Sequence, residues 1–294
     1  MGKIYASDWN PIQSSIANIM GAPSGTAYGW NKASSVTSAQ VNSTQQINHT
    51  HYNVLKDDIN FCYTHITGSN SSLPIRNAGT QITQADLTNV AAAQSYISTN
   101  KTTAASSQLT TSNIFSNTQA YTWTSSLGAT YTWSWANATQ FNAFWNAGGQ
   151  IYWNTSRYAG SSTPQNQGWT NLLANSGFIY ITATASGQVG ATWAGTVYNT
   201  NGIGGFSTVP SIFTKVYDQD LNYTNNYYQT EVWLDAQAGN GATTMNLKIS
   251  LIDTHVGTAG GPDEIDGNVA LTITQKYPYT WAAGAATSSN GFLT

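Results

Sequence analysis

The sequence predicts an α+β protein: an N-terminal helical segment followed by a mainly antiparallel β-sandwich with two short helical inserts. Three observations carry that expectation. Apolar residues recur at three- and four-residue spacing over the first part of the chain, the period switches to two after Ser106, and Gly, Asn and Asp clusters punctuate the alternating stretches beyond it. The expected division is 1–105 for the helical docking segment and 106–294 for the sandwich. A chain of 294 residues is long enough for a sizeable core in one large domain or two smaller units.

Taken in order, Asp8 is placed to cap an opening helix on which Trp9, Ile12, Ile16, Ile19 and Met20 share a face, with Gly21 as its stop. Residues 22–38, with Pro23, Gly25 and Gly29 among small side chains, read as an extended connection. A longer helix over 40–67 carries Ile47, His51, Leu55, Ile59, Cys62 and Ile66 at spacings of three and four and ends at Gly68. Thr83 followed by Asp86 is a capping pattern, and Leu87, Val90, Gln94 and Ile97 continue that helix to about residue 103.

Beyond Ser106, Tyr121-Thr-Trp123 and Tyr131-Thr-Trp133-Ser-Trp135 alternate aromatic with hydroxyl side chains around 125–128, which predicts a hairpin. Residues 136–180 organise the rest. Asn137 or Thr139 can cap a short helix with Phe141, Phe144 and Trp145 on one side, and Gly148-Gly149 is its stop, because a left-handed residue there carries no Cβ penalty in glycine. Residues 150–158 then alternate as a strand, with Ile151, Trp153 and Thr155 on one face. A polar loop over 159–167 leads to a second short helix over 168–176, with Trp169, Leu172 and Leu173 together, and to a strand over 178–184. Further strands are expected at 191–198, 209–217, 227–235, 245–253 and 270–277, and residues 280–294 read as a surface tail.

Only 7% of residues are charged while 12% are aromatic, so the surface is neutral and polar and the chain is ordered. The net charge of −3 and scattered Lys and Arg argue against nucleic-acid binding, which draws its affinity from clustered cations. The single cysteine, Cys62, supports no disulfide framework. The N-terminal residues lack an apolar leader core and no long apolar run occurs, so neither export nor a membrane span is expected.

The segments FNAFWNAGGQI (141–151), SRYAGSSTPQN (156–166) and WTNLL (169–173), in that order and spacing, resemble a family of tailed-bacteriophage virion structural proteins. That family is common in phages of cyanobacteria and is described as structural, neck or tail-fibre components. The resemblance covers most of the chain and implies a particle protein located in the virion, in the neck, tail or a fibre. Its implied partners are further copies of itself in a symmetric homo-oligomer and other phage neck or tail proteins. Residues 40–67 are then expected to carry a docking face, with Trp145, Trp153 and Trp169 fixing the body. The alternative is a tail-fibre or spike tip that recognises host surface glycans through exposed aromatics and the loop 159–167.

No catalytic, cofactor-binding or metal-ligating residue is assigned, and no enzyme activity is expected. His49, His51, Cys62 and His65 share the long helix, but His51 and Cys62 are about three turns, roughly 16 Å, apart along it, too far for one ion within one chain. The H-T-H triplet at 49–51 is similar to the His-X-His ion sites of trimeric phage fibres, a motif of extended intertwined chains. Here it falls in helical periodicity, and a site between chains stays open at this point. Asp263, Glu264 and Asp266, with Asp253 upstream, form a Gly-rich acidic stretch that reads either as a calcium loop or as a solvated hairpin loop. Adjacent carboxylates on one loop do not place an acid and a nucleophile across a sugar. The remaining candidates are aromatic: Trp123, Trp133, Trp135, Trp145, Trp153, Trp169, Trp193 and Trp233, read as core and interface in preference to sugar platforms.

Overall fold

The structure is a computed structural model that describes residues 4–23, 28–220, 223–255 and 264–278, and the backbone of 287–291. The elements in chain order are helices α1 (Ala6–Met20), α2 (His49–Thr67) and α3 (Gln84–Asn100), strands β1 (Leu109–Trp123) and β2 (Ser126–Ser134), α4 (Ala138–Asn146), β3 (Gln150–Tyr158), α5 (Pro164–Asn175), β4 (Phe178–Ile181), β5 (Ser186–Val189), β6 (Thr196–Val197), β7 (Ser211–Tyr217), β8 (Tyr227–Leu234), β9 (Thr244–Ile252), β10 (Ile265–Pro278) and β11 (Thr287–Gly291). The class is α+β, with two antiparallel sheets in a β-sandwich. Contacts divide the chain into two compact units, one holding Met1–Thr110 with Asn142–Gly149, the other Thr111–Phe141 with Gln150–Lys276 and the strand β11.

The helical unit closes on Trp9, Ile16, Met20, Trp30, Tyr52, Leu55, Ile59, Val90 and Ile97, joined by Ala143 and Ala147 from the returning segment. Its helices start where side chains satisfy the orphan N–H groups of the first turn. Asp8 is not the cap of α1: it sits in the first turn and accepts from the Tyr5 N–H at 3.2 Å. Helix α2 begins at His49 rather than 40, because the Asn48 side chain accepts from the His51 N–H at 3.1 Å and fixes the start there. Ile47, which continued the helical period, is buried from non-helical chain instead, as is Val41. The connection before them is pinned by buried Asp58, which accepts from the backbone N–H groups of Thr37 and Ser38 and from the Thr37 hydroxyl. Helix α3 opens as the capping pattern predicts, with Thr83 and Asp86 bonded reciprocally.

The returning segment docks on this unit through its carbonyls. Trp30 Nε1 donates to Asn146 O and Lys101 O at 3.0 and 2.9 Å, and Tyr28 Oη donates to the same two acceptors. His65 Nε2 donates to Ala147 O at 2.9 Å. Gly148 has φ +82°, and a Cβ there would lie 2.7 Å from Ala104 N, so glycine is required twice over.

In the second unit the sheets run β1-β10-β3-β4-β5 and β11-β2-β9-β8-β7-β6. The expected hairpin over 121–135 does not form: β1 and β2 belong to different sheets, and Thr124-Ser125 carries the chain from one to the other. Alternation specifies a strand and its faces but not its sheet. Strand β3 has the predicted bounds and buries Ile151, Trp153, Thr155 and also Arg157. The sheets meet through Trp153 against Phe213, ring centroids 5.9 Å apart, and through the Thr155 and Tyr228 hydroxyls at 3.1 Å. The strand expected over 191–198 shrinks to Thr196–Val197, and Ser186–Val189 is a strand that periodicity missed. The expected tail contains β11, whose Thr287–Gly291 pairs with β2 at Ser134–Thr130; the rest of 280–294 lies outside the described residues.

Candidate functional site

Chemistry-bearing side chains of the sandwich unit gather around the first turn of α5. That helix starts at Pro164, whose missing N–H costs nothing at the first helical position, and Thr163 Oγ1 accepts from the Asn166 N–H. Arg157 projects from the core face of β3. Its Nη1 donates to Asn166 O and Thr170 Oγ1, both at 2.9 Å, and its Nη2 donates to Asp266 O. The Asp266 carboxylate accepts from the Ser161 N–H and hydroxyl and from Asn166 Nδ2, and Ser161 foremost holds its carboxyl below the usual carboxylate range. The expected loop 159–167 ends at Thr163, and it and the first turn of α5 are tied down by Arg157 of β3 and Asp266 of β10.

A second group lies one residue beyond the paired ends of β7, β8 and β9. Tyr217 pairs with Tyr227 and Tyr227 with Ile252, so the next residues, Asp218, Asn226 and Asp253, continue one row across three strands. All three are buried. Asp253 Oδ2 accepts from Gln165 Nε2 at 2.6 Å, and Asn226 Oδ1 accepts from the Thr254 N–H. Asp218 Oδ1 accepts from the Asp220 N–H at 2.8 Å, while Oδ2 lies where a Cβ of Gly168 would approach it to 2.9 Å. Burial, reinforced by the Asp220 charge and opposed by the Asp220 N–H, pushes the Asp218 carboxyl up to about 6. A carboxyl so tuned suits general acid chemistry, but at 2% exposure beneath α5 it has no surface to offer a substrate.

The acidic candidates do not converge. Asp253 and Asp266 bind consecutive residues of α5, Gln165 and Asn166, which project about 100° apart around a helix. Glu264 is exposed and Asp263 lies outside the described residues. On α2, His51 Nδ1 accepts from the Asn48 N–H, and its Nε2 hydrogen-bonds with Gln45. His49 Nε2 lies 3.4 Å from the Thr50 hydroxyl, His65 is buried on Ala147 O, and Cys62 is buried and free. Among the described residues no group of three or more His, Cys, Asp or Glu has metal-holding geometry. On the stretch 40–67, Tyr52, Leu55, Ile59, Cys62 and Ile66 are buried in the helical unit's own core.

Trp123, Trp133, Trp135, Trp145, Trp153 and Trp169 are buried, and Trp193 and Trp233 half-buried. The aromatic surface is tyrosine and phenylalanine instead. On the outer face of the five-stranded sheet Tyr152 pairs with Tyr180, rings 5.9 Å apart and tilted by 31°, and Lys276 Nζ sits 4.7 Å from the Tyr152 centroid. Phe178, on the same face as Tyr180, is 47% exposed. Sequence reading missed Arg157, Gln165, Asn166, Asp218 and Asn226. Arg157 carried a signal, a cation on the Trp153 face of a strand; the others wait on tertiary pairing.

No protein family, curated protein or solved structure matches the chain. No helix among the described residues is long and apolar enough to cross a membrane.

Proposed function

We propose that the protein is a structural subunit of a tailed-phage virion, in the neck, tail or a fibre, that assembles as a symmetric homo-oligomer and contacts other neck or tail proteins. It makes contacts and breaks no bonds. The observation that carries this reading is where the family-like residues go. Phe141, Phe144, Trp145 and Trp169 are core, Gly148 and Ala147 receive the helical unit's clamps, and Arg157, Thr163 and Asn166 tie down the polar loop. The resemblance thus rests on architecture, as expected of a particle protein. A chain in which only 7% of residues are charged supports it further, since uncharged amide and tyrosine surfaces pack against neighbours without the desolvation cost of ions. Imaging of the particle with this chain labelled tests the reading: label on neck, tail or fibre is expected, and unlabelled particles reject it.

The alternative reading, recognition of a host surface glycan, is favoured by the Tyr152–Tyr180 face with Phe178 beside it, because aromatic faces stack on sugars. Saturable binding on a glycan array, lost in Tyr152→Ala, supports that reading. Its absence leaves the architectural one.

A further inference from the structure

The buried row at the ends of β7, β8 and β9 includes a carboxylate oxygen that the fold does not satisfy. Asp218 is 2% exposed, and its two oxygens differ: Oδ1 accepts from the Asp220 N–H at 2.8 Å, while Oδ2 has no hydrogen-bond partner among the described residues. Neither Asp218 nor Asp220 belongs to an ion pair among those residues. A carboxylate removed this far from water is normally paired with a cation, hydrogen-bonded through both oxygens or bound to a metal.

The free oxygen faces the underside of α5 at Gly168. A Cβ on that residue would approach Asp218 Oδ2 to 2.9 Å and Asp220 Oδ2 to 3.7 Å, so both oxygens border one small space that the glycine keeps clear. Gly168 has no positive φ, and a glycine inside a helix costs about 1 kcal/mol against alanine, so clearance is the reason for it. Helix α5 brings no Lys or Arg to the pair. It brings the Asn171 amide, whose Nδ2 donates to Asp220 Oδ2 at 3.2 Å. Asp220 is half-buried and gives the pair an edge on solvent.

We propose that Asp218 and Asp220 hold a divalent cation beneath α5, and that calcium is the ion that fits. The ligands are hard oxygens two residues apart, the spacing by which the first and third residues of a calcium loop reach one ion. Calcium takes irregular sets of about six to eight oxygens, so carbonyls and water complete its shell, whereas magnesium demands a near-ideal octahedron. Two carboxylates are a low ligand charge, which puts the affinity in the class of about 0.1–1 mM. The bound ion gives Asp218 Oδ2 its missing partner and ties α5 to the end of β7. The inference does not depend on the virion reading.

Calcium titration of the full chain, after treatment with a chelator, tests this. At about 5 mM calcium chloride the thermal midpoint is expected to rise by about 2 °C or more, and calorimetric titration to give a single ion per chain. Asp218→Asn and Asp220→Asn are each expected to weaken binding about tenfold or more. Glu264→Gln, which alters an exposed acid elsewhere on the unit, is expected to leave it unchanged. Asp218→Asn keeps the acceptor for the Asp220 N–H and removes a buried charge, so circular dichroism in chelator is expected to show it folded, and lost binding is then not lost structure. A wild-type chain that ignores calcium overturns the site, and so does binding that survives both Asp218→Asn and Asp220→Asn. Either result leaves the assembly reading where it stands.

Discussion

His65 Nε2 donates to the carbonyl oxygen of Ala147 across 2.9 Å of space and 82 residues of sequence. The imidazole is 3% exposed and stacks edge-on against Trp30 at 4.8 Å. Helix α2 is thereby fixed to the segment that returns after β2, so the helical unit is complete only once more than half of the chain has been made.

That contact makes the helical unit acid-sensitive. Burial outweighs the Ala147 carbonyl and lowers the His65 pKa to about 4, below its unfolded value of 6.5. Stability is present above pH 6.5 and is lost as pH falls toward 4, by roughly 3 kcal/mol over the window. Thermal unfolding from pH 7 to 4 should show this slope, and His65→Gln should flatten it.

Asp218 has the opposite sign. Its folded pKa of about 6 lies above 3.8, so the folded state holds the proton longer and stability falls as pH rises from about 4 to 6. Asp218→Asn keeps the acceptor for the Asp220 N–H and removes the buried charge. A gain of roughly 1–3 kcal/mol is expected at pH 8 and little change at pH 4, by denaturant unfolding.

Gly148→Ala combines a left-handed backbone with a close approach to Ala104, whereas Gly190→Ala has a similar φ of +69° and nothing within 4 Å. Backbone strain alone costs about 1 kcal/mol at Gly190, and the clash raises the cost at Gly148 to about 3 kcal/mol or more. Equal costs, measured by unfolding, would remove the contact from the account.

Asp266→Ala deprives Ser161 and Asn166 of their shared acceptor. Hydrogen exchange at residues 161–167 should rise while the amides of β3 between Ile151 and Thr155 keep their protection.

Much of this was legible in sequence where one local device decides the outcome. Thr83 with Asp86 set the start of α3, Gly148-Gly149 the end of α4, and strict alternation the bounds of β3. It failed where local signals are ambiguous. Ile47 kept a helical period from non-helical chain, and Tyr121 and Tyr131 looked like facing strands of one hairpin when they belong to different sheets. The row of Asp218, Asn226 and Asp253 exists only once β7, β8 and β9 are paired in register, which no single segment encodes.

The claim on which the account turns is that this protein works by association. Molar mass of the purified full chain, measured by sedimentation over a range of concentrations, tests it most directly. A rise from 31.5 kDa to a discrete multiple is expected. An unchanging single-chain mass would contradict it.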